Sequence, residues 1–318
     1  MVLMYFRLKM VMSDAKIARY SHLSVASYNC RGFNTSKQCY IKSLLSRCSV
    51  LFLQEHWLSD DQLSLLGSLD DNFLFTGVSG FGKDKVLPGR PFGGCAILWR
   101  SDMDIRANVL DTCSNRICAV RLCSDLYSLL IINVYMPYES SEATTDDFAD
   151  QLALIESTIE ANADCHVIIG GDFNVDLSRP WVHTTMLTSF CDNAGLSPYF
   201  HQKSSVDYTY HFNMSRFSAI DHFLLSGTLF AKAVDYVYVL HESDNTSDHD
   251  PFILQLLLKL EFIQHADKVH SPQVSWAKAN DADYANYAVC YHSCYTARLY
   301  QLMRYFVRMG HAVMLVIR

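Results

Sequence analysis

The sequence predicts an α/β fold, of the α+β kind, in which short buried strands and amphipathic helices share one large domain. Three observations predict it. Short β-branched apolar runs recur along the chain, as in YSLLIINVY and HVIIGG. Between them lie stretches with apolar residues three and four apart, such as Thr144 to Ala163, which read as helices. Several strand runs stop abruptly at a carboxylate, an amide or a phenol. With 318 residues, half of them hydrophobic, the chain suffices for one large domain with an appendage or for two small ones, and is too apolar for general disorder.

Residues 1 to 22 lack a clear period and carry Arg7, Lys9, Lys16 and Arg19, which predicts a loosely packed basic leader. Its cations, and the lack of a clear small-residue cleavage site, argue against a secretory signal. From Leu23, LSVASYN alternates as a strand ending in Asn29, and Gly32 in CRGFN marks the turn. Ser36 is placed to cap a helix with Tyr40, Ile41, Leu44 and Leu45 on one face. Val50 to Leu53 is an apolar strand terminated by Glu55, and Ser59 opens a helix bearing Leu63, Leu65 and Leu66. A carboxylate just beyond a buried strand is costly unless it is paired, hydrated or bound to a cation. The glycine-rich stretch from Gly77 to Gly94 is an exposed loop whose Lys83, Lys85 and Arg90 can meet phosphates.

CAILWR, the Ile105 to Leu110 region, RICAVRL and YSLLIINVY follow as strands joined by polar turns, which suits antiparallel pairing. Pro137 ends the last ladder and leaves Tyr135 near its terminus, where a phenol can donate a hydrogen bond. The helix from Thr144 to Ala163 then leads to the stretch that organises the chain, HVIIGGDFNVD from His166 to Asp176. Val167, Ile168 and Ile169 read as a strand buried on both faces, and Gly170-Gly171 allow backbone or ligand to approach closely. Alternation with a period of two would place Asp172 and Asn174 on one side. Thr184 to Asn193 is helical, and DYTYHFN and VDYVYVL are strands. FSAIDHFLLS carries Asp221 inside an apolar strand, a position that demands a salt bridge or a sheet edge. Ser247, Asp248 and His249 precede the final strand, FILQLLL.

The formal charge of −7, from 26 basic and 33 acidic residues, supplies no global attraction to nucleic acid, so such binding needs local basic patches or a metal. Eleven cysteines without a C-x-x-C pair read as reduced, mostly buried thiols of an intracellular protein, nuclear or cytoplasmic. Cys290, His292 and Cys294 lack the matching second pair of a zinc site. No stretch reaches the roughly 18 uninterrupted apolar residues of a membrane span, so no membrane partner is expected.

Asn29, Glu55, Tyr135, Asp172, Asn174, Asp221, Asp248 and His249 thus each fall at or near a strand end. Carboxylates such as Glu55 and Asp248 suit a hard cation, above all Mg²⁺, with Mn²⁺ as a substitute. A histidine near a carboxylate is a cation or proton carrier near neutral pH. Together these groups suit phosphoester hydrolysis, in which metal and hydrogen-bond donors offset charge and a base activates water.

The order SYNCRGFN, LQEHWL, NVYMPY, GGDFNVD, SAIDHFLL and SDHDP resembles the endonuclease/exonuclease/phosphatase superfamily. CRGFN with LQEHWL points further, to the apurinic-type endonuclease domain of non-LTR retrotransposon (LINE-like) open reading frame 2 proteins. The resemblance covers Leu23 to Leu260. It implies a DNase I-like, four-layer α/β sandwich of two mainly antiparallel sheets flanked by helices, with the site at one end. It also implies that Glu55 binds Mg²⁺ with Asn29 beside it and Asp248 assisting, and that Asp172 orients or deprotonates water. Asn174 and Tyr135 would hold the phosphate, while Asp221 orients His249, which stabilises the pentacovalent phosphate. Thr209 is matched more loosely to a threonine near the cleaved strand, and Ser247, Arg31 and Arg90 join it as substrate contacts.

The expected function is therefore an Mg²⁺-dependent DNA endonuclease that leaves a 3′-hydroxyl, with DNA as partner and oligomeric state left open. Two alternatives stand beside it: the same fold acting on a phosphorylated small molecule or lipid headgroup, and a truncated transposon remnant that only binds nucleic acid. Domain limits are expected at residues 1–22, 23–260 and 261–318. The last segment resembles the linker that follows such nucleases, with no reverse transcriptase after it, and ends in a basic helix or in unstructured chain.

Overall fold

The computed structural model describes residues 16–20, 22–81, 91–199, 208–213 and 215–263. Most of the expected leader, Lys83, Lys85 and Arg90 of the glycine-rich loop, and the tail with Cys290, His292 and Cys294 lie outside them. The chain divides into two compact units, Met1–His265 and Ala266–Arg318, and the described residues belong to the first.

In chain order the elements are β1 (Lys16–Tyr20), β2 (Leu23–Asn29), α1 (Thr35–Leu45), β3 (Val50–Gln54), a 3₁₀ segment (Asp60–Ser68), β4 (Phe73–Val78) and β5 (Cys95–Arg100). Then come β6 (Arg106–Leu110), β7 (Ile117–Cys123), β8 (Ser128–Tyr135), α2 (Glu142–Glu160), β9 (His166–Asp172), α3 (Val182–Ala194) and β10 (Leu196–Pro198). The last are β11 (Tyr210–Phe212), β12 (Arg216–Ser218), β13 (Asp221–Ser226), α4 (Gly227–Ala233), β14 (Val234–Val239), β15 (Phe252–Leu256) and β16 (Lys259–Ile263).

Two six-stranded sheets carry the fold, one ordered β14-β15-β2-β3-β5-β4 and the other β10-β13-β9-β8-β7-β6. Within them β2–β3 and β8–β9 are parallel and every other pairing is antiparallel. Alternation along the strands sorts side chains into three apolar layers. Val25, Phe52, Ile97, Ile131, Ile168 and Phe223 fill the space between the sheets. Their sequence neighbours point outward: Leu130, Ile132 and Ile169 pack under α2 and α3, and Ala26, Leu51 and Leu53 under α1. Strands with both faces covered read as unbroken hydrophobic runs, and the result is the four-layer DNase I-like sandwich that the resemblance implied.

Several local expectations change. Lys16–Tyr20 lies in the predicted loose leader, yet it pairs antiparallel with Lys259–Ile263, so the folded chain extends past Leu260. The cap of α1 is Asn34, whose side chain accepts from the Lys37 amide at 3.1 Å, while Ser36 hydrogen-bonds Asn34. The helix expected after Ser59 is a 3₁₀ segment that buries only Leu66. Asp221 is the first residue of β13 and not an interior one.

Candidate active site

The two parallel pairs explain why the strand ends converge. Each sheet contains two adjacent strands running the same way, so their carboxyl ends emerge together: Asn29 beside Gln54, with Glu55 next, in one sheet, and Tyr135 beside Asp172 in the other. The antiparallel neighbour β13 starts where β9 stops and sets Asp221 opposite Asp172. Under this edge Asn133 cross-links the layers, donating at 2.8 Å to the carbonyls of Leu53 and Ala96 and accepting from Gln54 Nε2 at 2.6 Å. Sequence reading passed over both amides. Asn133, an amide inside the apolar run of YSLLIINVY, could have drawn attention.

Gly170 and Gly171 are required by the protein's own packing. A Cβ at Gly171 would overlap the Val134 carbonyl oxygen, and its φ of 141° is one L side chains rarely adopt. At Gly170 it would press into the Phe223 ring. The close approach is therefore to backbone and core, not to a ligand. Arg31, Glu55, Trp57 and Asn174 also have φ near +50 to +60°, a cluster of left-handed non-glycine residues of the kind found where backbone strain positions functional groups. The turn at Asn174 ends the extended chain, so simple alternation does not bring it to Asp172. Its amide N–H does, donating to Asp172 Oδ1 at 2.9 Å.

A continuous array results. His249 Nδ1 lies 2.9 Å from Asp221 Oδ2, and Nε2 lies 3.8 Å from Asp172 Oδ2. Asn29 Nδ2 donates to Asp172 Oδ2 at 2.9 Å and to Glu55 Oε1 at 3.0 Å, and Trp57 Nε1 donates to Glu55 Oε2 at 3.1 Å. Asp172, Asp221 and His249 are buried. Burial raises the Asp172 carboxyl to about 7, helped by the Asp221 charge and opposed by His249. The same burial disfavours a charged imidazole at His249, but Asp221 and Asp172 outweigh it and raise His249 to about 10. Burial, and then the charges of Glu55 and Asp172, push the Tyr135 phenol up, so it remains a protonated donor.

Asp172, Asp221 and His249 offer ligand atoms within 4.8 Å of one another. However, the Asp221 contact occupies His249 Nδ1, and its Nε2 faces Asp172 Oδ2 at 3.8 Å, so these three groups already partner one another. Glu55 and Asp248 fit a hard cation better. Asp248 Oδ2 pairs with Arg31, while Oδ1 is buried without a hydrogen-bond partner among the described residues, an anionic oxygen that a cation would stabilise.

The remaining expected residues divide. Glu55, Asp172, Asn174, Asp248, His249 and Arg31 line one cleft of about 720 Å³. Thr209 does not: it is fully buried, and its hydroxyl accepts the amides of Ile220 and Asp221 at 3.2 and 3.1 Å, which holds the start of β13. Ser247 donates to the Asn29 carbonyl at 2.8 Å and accepts from the His249 amide at 3.3 Å, so it joins two site loops and presents no hydroxyl to substrate. Missed by sequence reading are Tyr138, Arg179, Trp181, Tyr210, Phe212 and Phe217, which line the cleft as well. The signals were Tyr138 at the end of NVYMPY, Tyr210 and Phe212 in DYTYHFN, and SRPWV directly after GGDFNVDL.

Residues 26–249 match the model of the Endonuclease/Exonuclease/phosphatase family. No curated protein matches the chain. Among solved structures, similarity extends to the endonuclease domain of TRAS1, a telomere-specific non-LTR retrotransposon, at 14% identity and a TM-score of 0.57, covering 75% of this chain and 99% of that one. The Xenopus laevis APE2 catalytic domain gives 17%, 0.60, 77% and 94%, and the Leishmania major AP endonuclease LMAP 14%, 0.59, 74% and 88%. At these identities the structures speak to the fold.

Proposed function

The chain belongs to the endonuclease/exonuclease/phosphatase family, enzymes that hydrolyse phosphoesters, and on that premise we propose that it is a divalent-metal-dependent DNA endonuclease of the retrotransposon type, leaving a 3′-hydroxyl. The observation that carries this reading is the array Asp221–His249 and Asp172–Asn29–Glu55, of which His249, Asp172 and Glu55 line one cleft.

Asp172 is the group to orient and deprotonate water, because burial raises its carboxyl above the usual carboxylate range and so makes it a stronger base. Asn29 donates to one of its oxygens and the Asn174 amide to the other, which fixes the carboxylate and leaves a lone pair on each oxygen for water. His249, cationic and fixed by Asp221, places Nε2 where a phosphate oxygen can accept from it. Asn174 donates one amide hydrogen to the Met136 carbonyl at 2.9 Å and has the other for phosphate. Mg²⁺, when held by Glu55 and Asp248 beside Asn29, would polarise the phosphate and offset its charge. The presence of TRAS1 among structural relatives and the CRGFN and LQEHWL motifs support a DNA substrate.

The test is purified protein with supercoiled plasmid in Mg²⁺ or in chelator. Metal-dependent conversion to open circles supports the nuclease reading. Retention of plasmid without conversion supports a binding remnant, and release of phosphate from small esters with no nicking supports the small-molecule hydrolase.

A further inference from the structure

Two stretches leave the catalytic loops side by side. From β8 the chain runs through Met136, whose carbonyl accepts from Asn174, to Tyr138 and Glu139. From β9 it runs through Asp176 and Arg179 to Trp181 at the entrance of α3. Glu139 ties the two together, its carboxylate accepting the amides of Val182 at 3.3 Å and His183 at 2.9 Å. That link holds the chain at Tyr138 close to the chain at Trp181; both residues line the cleft and both are exposed, at 58% and 37%.

The arginine beside them is already committed. Arg179 lies over the Trp181 ring, 5.5 Å from its centroid, with Nε 3.2 Å from Asp176 Oδ2 and Nη2 donating to Ser218 Oγ at 3.1 Å. Its charge is largely answered by Asp176, so it suits a support for the indole better than a free phosphate ligand. Exposing two large aromatic faces to water is unfavourable, and fixing them with a non-local cap and a cation makes sense where a flat apolar ligand is to be received.

Resting on the nuclease reading, we infer that Tyr138 and Trp181 form a stacking seat for an unpaired nucleobase next to the scissile phosphate, so that the preferred substrate is DNA with an unstacked base there. Tyr138 and Trp181 line the same cleft as Asp172 and His249, so a base adjoining a phosphate at His249 enters the cleft these rings line. In an intact duplex the base faces are covered by neighbouring pairs. Stacking on the protein requires a base already out of the helix or one whose extrusion costs little, as at a bubble or a mismatch.

The experiment compares one DNA sequence as perfect duplex and with a small unpaired bubble, for the wild type, Trp181→Ala, Trp181→Phe and Tyr138→Ala. Binding is read separately in Ca²⁺ by quenching of 2-aminopurine placed in the bubble. Expected are faster nicking of the bubble, a roughly tenfold rise in its KM in Trp181→Ala with little change in kcat, restoration by Phe, and quenching lost in the two Ala variants. Nicking of duplex and bubble alike by all four proteins overturns the seat and leaves the nuclease reading standing. Quenching that depends on Trp181 without nicking of either DNA keeps the seat and overturns the nuclease.

Discussion

At the scale of the residue, the site sets two buried carboxylates, Asp172 and Asp221, on either side of one buried imidazole, His249. Asp172→Asn and His249→Ala should each lower plasmid nicking by about 10² to 10⁴-fold, the range for loss of an acid-base or charge-stabilising group. A folded variant nicking at the wild-type rate would remove that residue from the mechanism. The raised His249 pKa also has a stability consequence of definite sign. The folded state binds the imidazole proton more tightly than the unfolded state, where the usual value is 6.5, so the contribution is complete below that pH and is lost as pH rises through about 10. Asp172, whose carboxyl burial also raises, acts in the same sense at lower pH. Urea unfolding in chelator should show the stability difference between the wild type and His249→Gln shrinking steadily between pH 8 and 10.5. Glu55 is a different case, because its backbone is strained and its carboxylate is held by Asn29 and Trp57. Glu55→Gln should move the Mg²⁺ titration of nicking to higher concentration, and an unchanged midpoint would make Glu55 a structural residue.

At the scale of the element, β9 depends on having no side chain at one position. The Val134 carbonyl of the parallel neighbour occupies the space a Cβ at Gly171 would need, and the φ there is strained for any L residue. Gly171→Ala should cost about 3 kcal/mol, the sum of overpacking and dihedral strain, in urea unfolding monitored by circular dichroism. It should lower nicking as well, since Asp172 is the next residue along. Loss of stability without loss of rate per folded molecule would show that the strand tolerates a shift its carboxylate does not feel.

At the scale of the molecule, the candidate site groups lie on or just beyond strands of the two six-stranded sheets, while β1 and β16 form a separate two-stranded ribbon. Residues 266–318 should be removable: a chain ending at His265 should melt and nick as the full chain does. A chain ending at Leu260 takes away most of β16, leaves β1 without its partner, and should still nick, because Phe252–Leu256 already anchors the loop of Asp248 and His249 between β14 and β2. Collapse of activity in the His265 chain would show that the later residues support the sandwich. Removing Arg298, Arg304, Arg308 and Arg318 with the tail should flatten the dependence of DNA binding on salt.

The linear order of motifs and the hydrophobic period determined the strands, the helices and which residues end each strand. Both signals are local: buried runs such as Val167 to Ile169 are legible because core side chains must be apolar, and polar strand ends stand out against them. Asn29, Glu55, Asp172, Asp221 and His249 were legible for that reason. Only the tertiary structure decided how they act together. Parallel pairing of β2 with β3 and β8 with β9 brought four strand ends to one edge, and β13 carried Asp221 to His249, contacts between residues far apart in sequence. Thr209 and Ser247 passed as substrate contacts because a hydroxyl looks the same in sequence whether it faces a ligand or a buried amide. Trp181 and Tyr138 passed unnoticed because nothing in a string of residues records that Glu139 reaches the amides of α3 and sets the two rings beside one cleft. Chemistry of that kind resides in distances across the fold, and sequence spacing carries no measure of them.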